Sequence, residues 1–333
     1  MRILVTGGAG FIGSHIVDAC LAAGHEVSVV DDLSTGTRAN LPDTVPVFVA
    51  DVGDPARLGA IFDEVQPDAV CHQAAQISVS RSVREPVLDA QVNILGLLQV
   101  CTNAVRVGTR RVVFASSGGV LYGDVYTPAK ESSPENPLSP YGISKWTCEQ
   151  YLKFFAREYG IEAVALRYAN VYGPRQNPHG EAGVVAIFCQ QLLRNEVATI
   201  YGDGRCIRDY VYGEDVAQAN LQAITAEFPP GFIALNIGTG IQTDVSHLAS
   251  LILKQVVRER LNSGVNLPVT EFNRGPARNG DLRANVIDAS LAGRLIGWQP
   301  RILLANGIES TVSWFRQELD GAAARPAGVL ARW

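Results

Sequence analysis

At 333 residues the chain is long enough for a large core and for two domains. An apolar share of 47% with a charged share of 18% excludes a disordered chain, and a net charge of -5 gives no reason to expect nucleic acid or an anionic membrane as partner. The six cysteines form no C-x-x-C, the opening MRILVTGGAGFIG is too short and glycine-rich for a signal peptide, and no apolar run nears the ~18 residues of a membrane span; reduced core thiols in the cytoplasm are expected.

In chain order, β-branched runs at 3–6, 26–30, 46–50, 68–72, 111–116 and 162–168 read as strands, with helical apolar periodicity at 11–23, 56–65 and 87–107 between them. Strands separated by helices require parallel crossovers, and a series of them predicts a doubly wound α/β sheet. After about residue 170 the rhythm breaks. Glycine and proline crowd NVYGPRQNPHGEAG, strands shorten, and helical patterns at 184–195, 214–227 and 243–260 no longer alternate with them. The expected division is a nucleotide-binding domain over 1–170, rejoined by segments at about 208–240, and a smaller, discontinuous mixed α/β substrate lobe over 171–320. A flexible tail is expected over 321–333, within the small, proline-containing DGAAARPAGVLARW.

TGGAGFIG follows the first strand and opens the first helix, spacing Gly7, Gly10 and Gly13 by threes. Such glycines permit a tight turn, close approach of backbone to a pyrophosphate and close packing of helix on strand. The helix N-terminus supplies N–H donors, which together make the Rossmann-type arrangement. A glycine-rich turn of no consequence carries the same letters. Asp31 and Asp32 favour the dinucleotide: they end the second strand about 18 residues beyond Gly13, where a carboxylate accepts from an adenosine ribose and repels a 2′-phosphate. NAD is therefore expected over NADP. Asp51, ending the third strand, suits either an adenine contact or a helix cap.

SPYGISKWTCEQ sets Tyr141 and Lys145 four apart at a helix start, on one face and within reach of one ligand. A free tyrosine titrates near ~10, so a tyrosine base at neutral pH needs a cation beside it, and Lys145 is placed to be one. The pair alone is common on helices. Context comes from the fifth strand, which runs into ASSGGVLYG and leaves Ser116 and Ser117 at a carboxyl end, where open α/β sheets bind ligands. The ordered set of TGGAGFIG, Asp31, HQAAQ at 72–76, the serine pair and Tyr141-x-x-x-Lys145 resembles the extended short-chain dehydrogenase/reductases over nearly the whole chain. Within them it is similar to the 4-epimerases of UDP-glucose and their relatives.

That resemblance implies NAD as cofactor and a UDP-sugar as substrate. By position it makes Tyr141 the catalytic base, Lys145 the residue that holds the nicotinamide ribose and lowers the tyrosine pKa, and Ser117 or Ser116 the partner of the sugar O4. It adds Phe11, Ile12, Asp32, Val52, Ala74, Asn93 and Tyr168 to the cofactor site beside Gly7, Gly10, Gly13, Asp31 and Asp51. From YGDGRCIRDYVYGEDV and RNGDLRANVIDAS it assigns Arg208 to the diphosphate, Arg278 to phosphate and Asp281 to the uridine ribose, with Asn170 also at the diphosphate. Two arginines on a diphosphate suit their forked donors. The resemblance also implies a homodimer through helices at about 87–107 and 141–159.

Related dehydratases carry an Asp-Glu pair after the catalytic threonine, and decarboxylases a glutamate in the same loop. This chain has Gly118 and Gly119 there, which leaves oxidation and re-reduction at one carbon. The activity implied is NAD-dependent epimerisation at C4 of a UDP-hexose through a transient 4-keto sugar. Two departures from the family pattern stand out. The position four beyond Asp281, a bulky aromatic in hexose-selective members, is Asn285, so room for an N-acetylhexosamine or a uronic acid is expected. Gln76 or Ile77 replaces a lysine that contacts the cofactor diphosphate in many relatives. The five histidines have no i,i+4 partner and form no ligand spacing with the cysteines, Cys71 beside His72 included, so no metal is expected. A non-catalytic NAD-binding regulator on the same fold is the rival reading, and the presence of Tyr141, Lys145 and Ser117 together argues against it.

Overall fold

The structure is a computed structural model, and its described residues are 1–179, 183–227, 229–262, 271–277 and 281–324. The first half runs β1 (Arg2–Thr6), α1 (Phe11–Ala22), β2 (Glu26–Asp31), β3 (Val47–Val49), α2 (Pro55–Val65), β4 (Ala69–His72), α3 (Val79–Arg84), α4 (Pro86–Ala90), α5 (Gly96–Val107), β5 (Arg111–Ser117), α6 (Gly118–Leu121), α7 (Pro140–Tyr159) and β6 (Glu162–Tyr168). Shorter pieces follow: β7 (Asn170–Tyr172), α8 (Val184–Leu193), β8 (Thr199–Tyr201), β9 (Ile207–Arg208), β10 (Tyr210–Tyr212) and α9 (Gly213–Thr225). After β11 (Phe232–Ile237) come β12 (Thr243–Asp244), α10 (Val245–Asn262), β13 (Asn273–Gly275), β14 (Ala284–Asn285), α11 (Ser290–Ile296) and α12 (Leu304–Ala324).

Seven strands form one parallel sheet in the order β11-β6-β5-β4-β1-β2-β3, the Rossmann-type doubly wound sheet expected. Growth of the sheet reverses between β1 and β4, and that reversal opens a crevice at their carboxyl ends. The strands are apolar on both faces because helices cover both. Alternate residues sort accordingly: Ile3, Val5 and Val113 join one core with α1 and α9, while Leu4, Val112 and Phe114 join another with α2, α5 and α7. A third cluster gathers Tyr172, Phe188, Ile200, Tyr210, Leu248, Ile252, Val312 and Phe315 from the later segments. There the strands are two or three residues long and pair as β10 with β7, β12 with β9 with β14, and β13 with β8. Among the described residues no helix is long and apolar enough to cross a membrane, and the cysteines are free, five of them buried.

Two expectations are corrected. The single helix read over 87–107 is α4, a π-helical stretch Gln91–Leu95, and α5. Hydrophobic periodicity does not distinguish an i→i+5 turn from its α neighbours, and this one carries the buried Asn93. The tail read as flexible from 321 is helical as far as Ala324, because a run of alanine extends a helix that packing has already nucleated; 325–333 lie outside the described residues.

Candidate active site

The turn after β1 is set by backbone proximity. Gly7 has φ +67°, and its N–H donates to Val30 O at 2.7 Å. A Cβ on Gly13 would lie 2.1 Å from Gly7 O, and one on Gly7 would lie 2.6 Å from Ala74 N, where the chain leaves β4. Gly10, the N-cap of α1, has only Gly7 O within 4 Å of such an atom. Asp31 is 7% exposed; its carboxylate accepts from Ala9 N and Leu33 N, both at 2.9 Å, so it braces the turn, and burial raises its pKa. Asp32 is exposed and accepts from Ser34 N. Asp51 is not the helix cap: Asp54 caps α2 by accepting from Ala56 N and Arg57 N, and Asp51 accepts from Gly53 N instead. Val52 is buried, and Phe11, Ile12 and Ala74 are half-buried.

Ser139 caps α7, accepting from Gly142 N at 3.1 Å, and Pro140 pre-sets its first turn. Tyr141 and Lys145 then share one face, with the Lys145 ammonium 5.7 Å from the Tyr141 ring centre. Lys145 is 2% exposed, donates to Ala115 O at 2.9 Å, and lies 4.7 Å from the Phe114 ring centre. Burial pulls its pKa down to about 8, against the opposing pull of Cys148 and Asp89. The tyrosine does not follow the sequence expectation in the protein alone. Burial, then Asp89 and Cys148, push its pKa well above the ordinary phenol, and a hydrogen bond with Ser117 only partly offsets this. Removing a phenolate from water is the largest of these effects.

The same geometry separates the two serines. Ser116 is 3% exposed and donates to Glu149 Oε1 at 2.6 Å. Ser117 is half-buried and lies near enough to Tyr141 to pull its pKa down in part. Glu149, one turn beyond Lys145 on the same face, also binds the buried Arg167 through Oε1 at 3.0 Å and Oε2 at 2.6 Å. Arg167 donates further to Tyr122 Oη at 2.7 Å and Glu135 Oε1 at 2.9 Å, tying β6, α7 and the segment after β5 together.

Later segments approach from the side of β6. Asn170 donates from its backbone N to Asp209 O at 2.9 Å, and Arg208 pairs in register with Thr243 of β12 and Asn285 of β14. The Arg208 side chain is half-buried and donates to Ile207 O at 2.9 Å. Asp209, wholly buried, accepts from Thr239 N, Thr239 Oγ1 and Gly240 N, which holds the turn after β11. Asn285 does not open room as its size suggested: it is 0% exposed and donates to Gly118 O at 3.1 Å, stitching β14 under the turn after Ser117. Two cofactor expectations also change. The Tyr168 hydroxyl donates to Asn220 Oδ1 at 3.0 Å inside the core, so its phenol supports the sheet and is not offered to a ligand. Asn93 is 2% exposed, with its amide spent on Gln76 N, Gln76 O and Asp89. Asp281 is exposed, and Arg278 lies outside the described residues.

The profile of the NAD dependent epimerase/dehydratase family matches residues 3–238. The chain belongs to this family. Among curated relatives, the UDP-glucose 4-epimerase of Mycolicibacterium smegmatis is 43% identical over 325 residues, covering 96% of this chain and 99% of that one. The putative UDP-glucose 4-epimerase of Methanocaldococcus jannaschii is 42% identical, covering 94% and 98%. Among solved structures, UDP-glucose 4-epimerase of Thermotoga maritima with UDP-glucose aligns with a TM-score of 0.89 at 44% identity, covering 96% and 100%. The Thermus thermophilus UDP-glucose 4-epimerase in complex with NAD aligns with a TM-score of 0.87 at 43% identity, covering 95% and 99%.

The family's cofactor fits the residues present. The Gly7–Gly13 contact closes the turn against its own backbone, the space a Cβ would take at Gly10 meets little protein, and Asp31 stands buried at the end of β2. Sequence reasoning missed Asp89, Ser144, Glu149, Arg167 and Asp209. Glu149 had a signal, because 141, 145 and 149 repeat at one helical interval. The others depend on partners as far as 55 positions away in sequence and carry none.

Proposed function

We propose that this chain is an NAD-dependent UDP-hexose 4-epimerase that interconverts UDP-glucose and UDP-galactose. One observation carries the reading: Tyr141, Lys145 and Ser117 meet at the carboxyl ends of β4 and β5 beside the glycine turn, and the Gly118–Gly119 turn adds no carboxylate for elimination. NAD, when bound, would supply a reversible hydride acceptor for C4 and a positive ring that favours the phenolate the protein alone disfavours. Tyr141 takes the O4 proton and gives it back, Ser117 hydrogen-bonds O4, and Lys145 holds the cofactor ribose. Asn170 and Arg208, with Arg278 and Asp281, hold the uridine diphosphate.

In this reading residues 1–170, rejoined by about 208–240, form the NAD-binding domain and 171–320 mainly the substrate lobe. The enzyme works in the cytoplasm as a homodimer. Supporting the dimer, Val87, Leu95, Ile143 and Trp146 stand 70%, 51%, 49% and 38% exposed on the α4–α5 run and α7, an apolar surface that a second copy would cover. The decisive experiment is to purify the chain, measure bound NAD and supply UDP-glucose without added cofactor. Reversible formation of UDP-galactose is expected. A net dehydrogenase would instead need NAD supplied, a regulator would show no turnover, and a preference for UDP-N-acetylglucosamine or UDP-glucuronate would move the substrate. Tyr141→Phe should cut turnover by ~100-fold or more while UDP-sugar affinity holds. Unchanged turnover would remove Tyr141 from the chemistry.

A further inference from the structure

We propose that Asp89 is a positioning residue for Tyr141 and Lys145: its buried carboxylate pins the helical turn between them through Ser144 and stands as counter-charge to the Lys145 ammonium. The proposal rests on the reading of those two residues as the acting pair. Asp89 lies on α4 and is 0% exposed. Its Oδ1 accepts from Gln76 Nε2 at 2.8 Å and Asn93 Nδ2 at 2.9 Å, and its Oδ2 from Ser144 Oγ at 2.6 Å. Ser144 sits inside the turn from Tyr141 to Lys145, on the face that packs against α4. The same side grips the start of α7 as well, since Tyr141 N donates to Ser82 Oγ at 3.1 Å.

A buried carboxylate costs several kcal/mol unless a cation or several donors compensate. Here all three donors are neutral, and neutral groups could be joined as well by an amide. A charge is useful where a second buried charge must be sustained, and Lys145 is such a charge. Asp89, joined at 2.6 Å to Ser144, the residue before Lys145, is the group that the others facing the pair leave in that role. On α7, Cys148 is pushed up to about 12 by burial and is a neutral thiol; Cys101 of α5, behind it, is raised too. Glu149 is taken by Arg167 and Ser116. From β4, His72 is pulled down to about 3 by burial and is neutral. From β5 come Ala115 O, the Phe114 ring and the Ser117 hydroxyl, none of them charged.

The test reads the ammonium directly. Lys130, Lys145, Lys153 and Lys254 are the chain's four lysines, so an NMR titration of lysine ε-carbons resolves Lys145, assigned by its loss in Lys145→Arg. The wild-type signal should titrate near about 8. In Asp89→Asn and Asp89→Ser it should move down by about one unit or more, and the pH profile of kcat/KM should move to lower pH with it. Ser144→Ala keeps the charge and loses the pin, so Lys145 should titrate as in wild type while kcat falls by ~10-fold or more at unchanged KM. Unshifted Lys145 in the neutral variants, or a shift as large in Ser144→Ala, overturns the proposal. Should neither neutral variant fold, Ser144→Ala with unchanged kcat overturns it. A wild-type chain that turns over no UDP-hexose refutes the functional reading, and the titration then still decides for or against Asp89.

Discussion

The glycine turn over 7–13 and the cluster around Arg208 are built in opposite ways. The turn is one continuous stretch whose shape comes from contacts between its own backbone atoms, with Gly13 against Gly7 O and Asp31 bracing Ala9 N. The cluster is assembled from β7, β9, β12 and β14, strands of two or three residues that lie far apart in the chain and are held by register, by Asp209 and by Asn285. The contrast teaches that a rigid anchor can be written locally, whereas a cluster of side chains drawn from several segments depends on each segment being held in place. It follows that damage should spread differently from the two regions.

Gly13→Ala tests the first half most severely. Its Cβ would meet Gly7 O at 2.1 Å and Gly8 Cα at 2.8 Å, both backbone, so the turn itself must move. The variant is expected to purify without bound NAD and with a markedly lower unfolding midpoint, read by releasing and assaying the nucleotide and by thermal melting. Full NAD content would break the comparison. Arg208→Ala tests the second half and should act more narrowly. A hydrogen bond to a charged group contributes about 1.5–3 kcal/mol, so KM for the UDP-sugar should rise ~10- to 100-fold. Bound NAD should be unchanged, and loss of NAD from this variant would show that the two regions are not separable.

The smallest effect is on acid stability and belongs to the glycine side. His15, packed against Pro174 O, falls from 6.5 to about 4 by burial and the nearby Arg175, and His72, under the end of β4, falls to about 3 by burial. Both are neutral when folded, so the unfolded chain binds more protons as pH drops below 6.5. Their contribution is fully present above that value and is lost as pH falls toward the folded values. The melting temperature should therefore decline between about pH 7 and about pH 5, and His15→Asn should make that decline shallower. An equal slope in the variant would locate the acid sensitivity elsewhere.

The glycine spacing, the acidic end of β2 and the serine pair were legible because each needs only near neighbours in sequence. The roles of Ser116, Asn93 and Tyr168 were not, since each lies at a position that suits a ligand yet spends its polar group inside the protein, on Glu149, Gln76 with Asp89, and Asn220. Nothing in a one-dimensional pattern says which way a strand-end side chain turns once its neighbours compete for it. Asn285 shows the same limit, because its size was readable and its burial under Gly118 was not.

By itself the sequence determined the parallel sheet, the glycine turn and the Tyr141–Lys145 face, because helix and strand periods and backbone sterics act over a few residues. Only the tertiary structure decided that Ser116 is spent on Glu149 while Ser117 is left beside Tyr141, that Asp89 backs the Tyr141–Lys145 turn, and that burial pushes the phenol pKa up in the chain alone. Those outcomes depend on desolvation and on hydrogen bonds between distant segments, and both exist only once the chain has closed on itself.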